Sequence, residues 1–135
     1  MTFLSLWLYT GLIILILMIL LWLYSLAIKN SSIVDIFWGT GFVITYWLMA
    51  WLGSIDLTPR ILLLGLLVTA WGLRLSAHIF SRNHGQPEDF RYAAWRADAG
   101  SAWWWRSFFK VFLLQGIILW IVAAPLLAVQ AADPS

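Results

Sequence analysis

Four long apolar stretches, separated by short polar segments, leave this chain one environment in which to fold. They run from Phe3 to Ile28, from about Ile33 to Leu52, from about Arg60 to Ser81 and from about Ser107 to Gln130. At 1.5 Å per residue each is long enough to cross a hydrocarbon layer of about 30 Å. Of the 135 residues, 63% are hydrophobic and 10% charged. A soluble domain of this size has too much surface for its volume to hide that much apolar area. The expected fold is therefore all-α and polytopic, with four transmembrane helices in a single domain over residues 1–135 and a partly helical loop at 82–106. The first stretch is not a secretory signal, because no basic residue precedes it and it is too long for a signal core.

Turn chemistry supports these bounds. Asn30-Ser31-Ser32 is a tight turn in which Ser31 or Ser32 can cap the second helix. Thr58 is a cap for the third, with Pro59 at its first position. Pro125 either kinks the last helix or ends it early. Lys29, Arg82, Arg91, Arg96, Arg106 and Lys110 fall on one side of the zigzag and Arg60 on the other. The positive-inside rule then places the first and third loops in the cytoplasm and both termini outside, as in an integral protein of the bacterial inner membrane.

Polar groups inside the spans narrow the search for a site. Asp35, Arg74, His78, Lys110 and Gln115 all fall in the half nearer the charged loop. A charge at membrane depth is usually paired or lines a wet cavity. Asp35 and Arg74 have similar depth and can pair, either as glue between helices or as part of a functional site. Lys110 is expected to snorkel, and His78 to make a helix–helix hydrogen bond. Asp35, Trp38, Gly39, Phe42 and Tyr46 form one stripe on the second helix. It suits a lipophilic ligand or a packed interface, and Gly39 and Gly41 permit close helix approach. With no cysteine and only two histidines, His78 and His84, no metal site is expected.

The segment from Arg82 to Tyr92 concentrates the charge. Pro87-Glu88-Asp89 reads as a helix start and Gly100 as its stop. The arginines suit phosphate, and Glu88 and Asp89 can accept from ribose, unless Glu88 merely pairs with Arg91. Trp103-Trp104-Trp105 is read as an anchor at the headgroup level.

Four motifs occur in order: Asp35-Ile36-Phe37-Trp38-Gly39; Leu73-Arg74-Leu75-Ser76-Ala77-His78; Arg82-Asn83-x-Gly85-x-x-Glu88-Asp89-x-Arg91-Tyr92; and Trp104-Trp105-Arg106-Ser107-Phe108-Phe109 through Leu113-Leu114-Gln115-Gly116. Together they resemble the DUF1295 membrane-protein family from about Asn30 onward. That family is grouped with the steroid 5α-reductase-like enzymes and, more distantly, the isoprenylcysteine carboxyl methyltransferases. The resemblance implies NADPH-dependent reduction of a lipid or steroid enone. It makes Asp35 and Tyr46 candidates for polarising the carbonyl, and Arg82, Asn83, Glu88, Asp89, Arg91 and Tyr92 candidates for cofactor contact or loop order. Family members continue into further helices with an Arg-His-Pro-Asn-Tyr-type motif that nothing in this chain matches. The expectation is the N-terminal half of such an enzyme, incomplete alone, with membrane lipids, a lipophilic small molecule and a second polypeptide as partners, and no nucleic acid. The alternative is a non-enzymatic membrane protein whose charged loop binds a partner or anionic lipid.

Overall fold

The computed structural model describes residues 2–132, so Met1 and residues 133–135 of the expected domain lie outside the described residues. Three long helices come first, α1 (Phe3–Ile28), α2 (Ile33–Leu52) and α3 (Pro59–Asn83). A surface helix follows, α4 (Phe90–Ala99), and a 3-10 turn at Gly100–Ala102 leads into α5 (Trp103–Ser107). A π-helical turn at Phe108–Leu113 joins α5 to α6 (Leu114–Ala132). Among the described residues there is no strand. Four helical segments are long and apolar enough to cross a membrane, so the chain is an all-α, multi-pass integral membrane protein.

The helix ends follow local chemistry. Thr58 caps α3 by accepting from the Ile61 N–H, and Pro59 takes the first helical position. Ser32 occupies the cap position of α2, but its hydroxyl makes no bond to its own helix. Asp89, in contrast, caps α4, so the helix begins one residue after the two acids, not at Pro87. Pro125 lies within α6, which continues to Ala132. The last span therefore starts earlier than expected, at Trp103, and runs through the π turn. That turn adds one residue to the helical register, so the inward positions step from Trp103 and Ser107 to Phe112, Gly116, Leu119 and Ala123.

Packing joins α1 to α6 and α2 to α3, with α2 also touching α1 and α6. Trp7 and Trp120 stack with ring centroids 4.0 Å apart. Each indole N–H donates to the other residue's backbone carbonyl, at 3.0 and 2.7 Å. Such a pair satisfies two polar groups that lipid would leave stranded. At the α2–α3 crossing Gly39 meets Gly72 backbone to backbone, and a Cβ on Gly39 would stand 2.1 Å from the Gly72 carbonyl oxygen. The Thr40 and Ser76 hydroxyls bond beside it at 2.7 Å, and Trp47 Nε1 donates to Thr69 at 2.8 Å. The α2 stripe is thus a packed interface over Phe42 and Tyr46, both buried.

Gly39→Ala should force α2 and α3 apart and cost about 1–3 kcal/mol, the range for overpacking. At Gly41 the new methyl would meet the end of the Leu119 side chain at 3.1 Å, with the Phe37 ring at an ordinary contact distance of 3.7 Å. Thermal unfolding in detergent should therefore show a larger loss for Gly39→Ala than for Gly41→Ala.

Candidate functional site

The charged segment folds down over the start of α2. Glu88 receives the Arg96 guanidinium as a fork, Nε to Oε1 at 3.0 Å and Nη2 to Oε2 at 3.0 Å. Its Oε2 also accepts from the Ser31 backbone N–H. A carboxylate is thereby held at the positive end of α2. One residue on, the Asp89 N–H donates to the Ser32 hydroxyl at 2.6 Å. Asp89 Oδ1 accepts from the Arg91 N–H at 2.9 Å and from Arg91 Nε at 3.1 Å. Burial opposes ionisation of Glu88, but the Arg96 and Ser31 hydrogen bonds outweigh it and hold this carboxyl below its usual range. The Arg91 guanidinium does the same for Asp89.

A third contact completes the register. The Tyr92 hydroxyl donates to Asp35 Oδ1 at 2.9 Å. Ser31, Ser32 and Asp35 thus bond Glu88, Asp89 and Tyr92, each pair separated by 57 residues. The starts of α2 and α4 run side by side in the same direction.

Tyr92 ends a hydrogen-bonded chain whose polarity is fixed by its donors. Trp38 Nε1, which can only donate, bonds Gln115 Oε1 at 2.5 Å. The Gln115 amide nitrogen then faces Tyr92 and donates to its hydroxyl at 2.8 Å. With its oxygen so occupied, the phenol sends its proton toward Asp35. The chain ties α2, α4 and α6 together through side chains separated by many residues in sequence.

Between α3 and this docked segment lies an open cavity of about 330 Å³, lined by Asp35, Trp38, Leu75, Ile79, Arg82, Asn83, Asp89 and Arg91. Of the residues singled out in the sequence, Arg82, Asn83, Asp89, Arg91 and Asp35 converge here. Glu88 and Tyr92 do not line it, and they hold the loop in place instead. Asp35 presents a carboxyl against one polar and one apolar wall, and Arg82 has no hydrogen bond or ion pair among the described residues.

Other expected contacts are replaced. The anticipated Asp35–Arg74 pair does not form, because Asp35 turns toward Tyr92 while Arg74 and His78 lie exposed on the far side of α3. Gln115 joins Asp35 through Tyr92, so the expected intramembrane cluster divides in two. The Glu88–Arg91 pairing gives way to Glu88–Arg96 and Asp89–Arg91. Tyr46 is buried and donates to the Ile61 carbonyl at 2.6 Å. Eleven residues of helix put it about 16 Å from Asp35 along α2, so the structure does not bring these two together. Lys110 lies 4.4 Å from the centroid of the Trp95 ring, a cation–π contact. The tryptophan triplet divides, with Trp103 buried beneath Arg96 and Trp104 and Trp105 exposed. The partnership of Tyr92 with Asp35 was not foreseen, and no local spacing could reveal a pairing across 57 residues.

Removing the Tyr92 hydroxyl in Tyr92→Phe leaves both Asp35 and Gln115 without their partner. Hydrogen exchange at the α4 amides should quicken by an amount equivalent to about 1–3 kcal/mol of local stability. A pH series tests Glu88 separately. Folding lowers its pKa, so its contribution is complete above the ordinary value of 4.5 and disappears as pH falls through the lower folded value. Protection of α4 should hold from neutral pH to about 5 and fall away below 4. In Glu88→Gln that acid-dependent loss should flatten, with protection weaker at neutral pH.

A family model described as "Protein of unknown function (DUF1295)" matches residues 21–135, a stretch that takes in the cavity and all the residues that fasten the loop. No curated protein and no solved structure matches the chain. With the match covering all four motifs, the chain belongs to the DUF1295 family.

Proposed function

We propose that this chain is the cofactor-facing part of a membrane reductase of the steroid 5α-reductase type, acting on a lipid or steroid enone with NADPH. The observation that supports this most is the convergence of Arg82, Asn83, Asp89, Arg91 and Asp35 on one cavity at the end of the membrane-spanning helices. Arg82 and Asn83 supply donors for a phosphate, and Asp89 can accept from a ribose hydroxyl once Arg91 turns to phosphate. These residue types fit one end of a dinucleotide. A cavity of about 330 Å³ does not enclose the whole of it, so the reading includes a further polypeptide surface that covers the rest. The excess of basic residues at this end of the bundle, against Arg60 at the other, supports a reading in which the cavity faces the cytoplasm from a bacterial inner membrane, where NADPH is available.

Bound NADPH would supply the hydride. Asp35 is the residue we assign to the substrate carbonyl oxygen, as the carboxyl that lines the cavity beside Trp38. In its protonated form it donates a hydrogen bond where negative charge develops during reduction. Tyr92 acts through Asp35, holding one carboxyl oxygen in place with Gln115 behind it. Tyr46, buried against Ile61, takes no part in this arrangement.

An alternative is a non-enzymatic role in which the same arginines bind an anionic lipid or a partner, supported by the exposure of Arg82 and Arg91. NADPH titration of the purified chain, alone and with the rest of a reductase supplied, separates the two. The reductase reading expects binding that weakens roughly ten-fold in Arg82→Ala, about 1.4 kcal/mol. It also expects enone reduction that is lost in Asp35→Asn while NADPH binding remains. Absence of NADPH binding in both preparations, with lipid or partner association that depends on Arg82, would favour the alternative.

A further inference from the structure

We propose that the outward face of α3 is a binding site for the phosphate of a membrane phospholipid, held by Arg74 and His78 with Trp71 beside them. One side of α3 is occupied by α2, through the Gly39–Gly72 crossing and the Thr40–Ser76 bond. Flanking that contact, Trp71, whose ring lies 5.6 Å from that of Phe42 on α2, lines with Arg74, Leu75 and His78 an open groove of about 320 Å³ that turns outward. Arg74 and His78 are exposed there, and neither has a hydrogen bond or ion pair among the described residues. The acids that could have answered them are committed elsewhere: Asp35 to Tyr92, Glu88 to Arg96 and Asp89 to Arg91.

Depth makes this arrangement informative. Arg74 stands nine residues before the end of α3 at Asn83, about 13 Å along the axis at 1.5 Å per residue. A guanidinium in hydrocarbon draws in water or a counter-charge. Helical side chains lean toward the N-terminus, and for α3 that direction leads away from the charged loop and deeper into the membrane. Reaching back to the surface works against this lean, so the anion is better placed by coming down to the cation. His78, four residues on, stands one turn nearer the surface on the same face and adds a second donor.

The flanks favour a lipid over a partner helix. Leu67 and Leu63 continue the same face toward the middle of the membrane and are exposed, a path for acyl chains once the phosphate sits at Arg74. A partner helix would need its own carboxylate at this depth. The bilayer already holds phosphates around every exposed face of the protein. The groove adjoins the cavity assigned to NADPH and shares Leu75 with it, but Arg74 and His78 do not line that cavity, so lipid retention and NADPH binding are measured separately.

Native mass spectrometry of the full chain in detergent with phosphatidylglycerol tests this directly. Wild-type protein should retain a bound lipid through activation, and the Arg74→Gln/His78→Gln double variant should retain at least about five-fold less, with Arg106→Gln unchanged. Equal retention by the double variant would overturn the proposal. So would equal loss in Arg106→Gln, or loss from the double variant of a second copy or a co-purifying protein while lipid retention stays unchanged. A photoreactive phosphatidylglycerol offers a second measurement on the wild-type chain, needing no variant to fold. It should label the α3 peptide around residues 71–78, and labelling confined to other helices would contradict the assignment.

Discussion

The carboxylate of Glu88, held under the first turn of α2 by the Ser31 N–H and gripped by Arg96, is the contact on which the loop end depends. Without it the charged residues before α4 would have little to fix them in one conformation, since their apolar area is small, whereas Tyr92 and Trp95 further on pack into the core. With it, the start of α4 lies beside the start of α2, and Asp89 and Tyr92 fall opposite Ser32 and Asp35. A single register choice thereby sets both the floor of the cavity and the partner of Asp35.

Below that clasp, polar groups are handled by the rules of hydrocarbon. Most buried donors are matched with an acceptor, because an unpaired group has no water to turn to; Trp103 Nε1 and the Ser31 hydroxyl are exceptions. Trp38, Gln115, Tyr92 and Asp35 form one directed series, and Trp7 and Trp120 satisfy each other. Glycines at the α2–α3 crossing let backbones meet where side chains would hold them apart. Against this pattern Arg74 and His78 stand out, as polar side chains that the described residues leave facing outward.

Much of the architecture was readable from the residues alone, for physical reasons that differ by level. Span positions follow from hydropathy and length, and Thr58-Pro59 marks a helix start through local chemistry. The start of the last span at Trp103 and the π turn at 108–113 were less legible, since they depend on how side chains pack, not on how many are apolar. For the site, the segment from Arg82 to Arg91 was identifiable by charge, and Asp35 by its cost within a span. The partners were not. Whether Asp35 meets Arg74, Tyr46 or Tyr92 is decided by helix rotation and by where a loop docks, and neither leaves a mark at fixed sequence spacing. Tyr46 shares a stripe with Asp35, but eleven residues of helix carry it to the other end of α2.

The functional reading and the geometry meet at one place, the cavity between α3 and the docked loop. A natural sequence without cysteine allows a direct measurement there. In Ile79→Cys the thiol is introduced on the cavity wall, and in Ala97→Cys on the exposed side of α4. The rates at which a water-soluble maleimide labels each would be compared with and without NADPH. If the cavity receives the nucleotide, labelling at position 79 slows several-fold while position 97 is unaffected. Equal rates at position 79 with saturating NADPH present, in a chain that is otherwise folded, would contradict the assignment of this cavity to the cofactor.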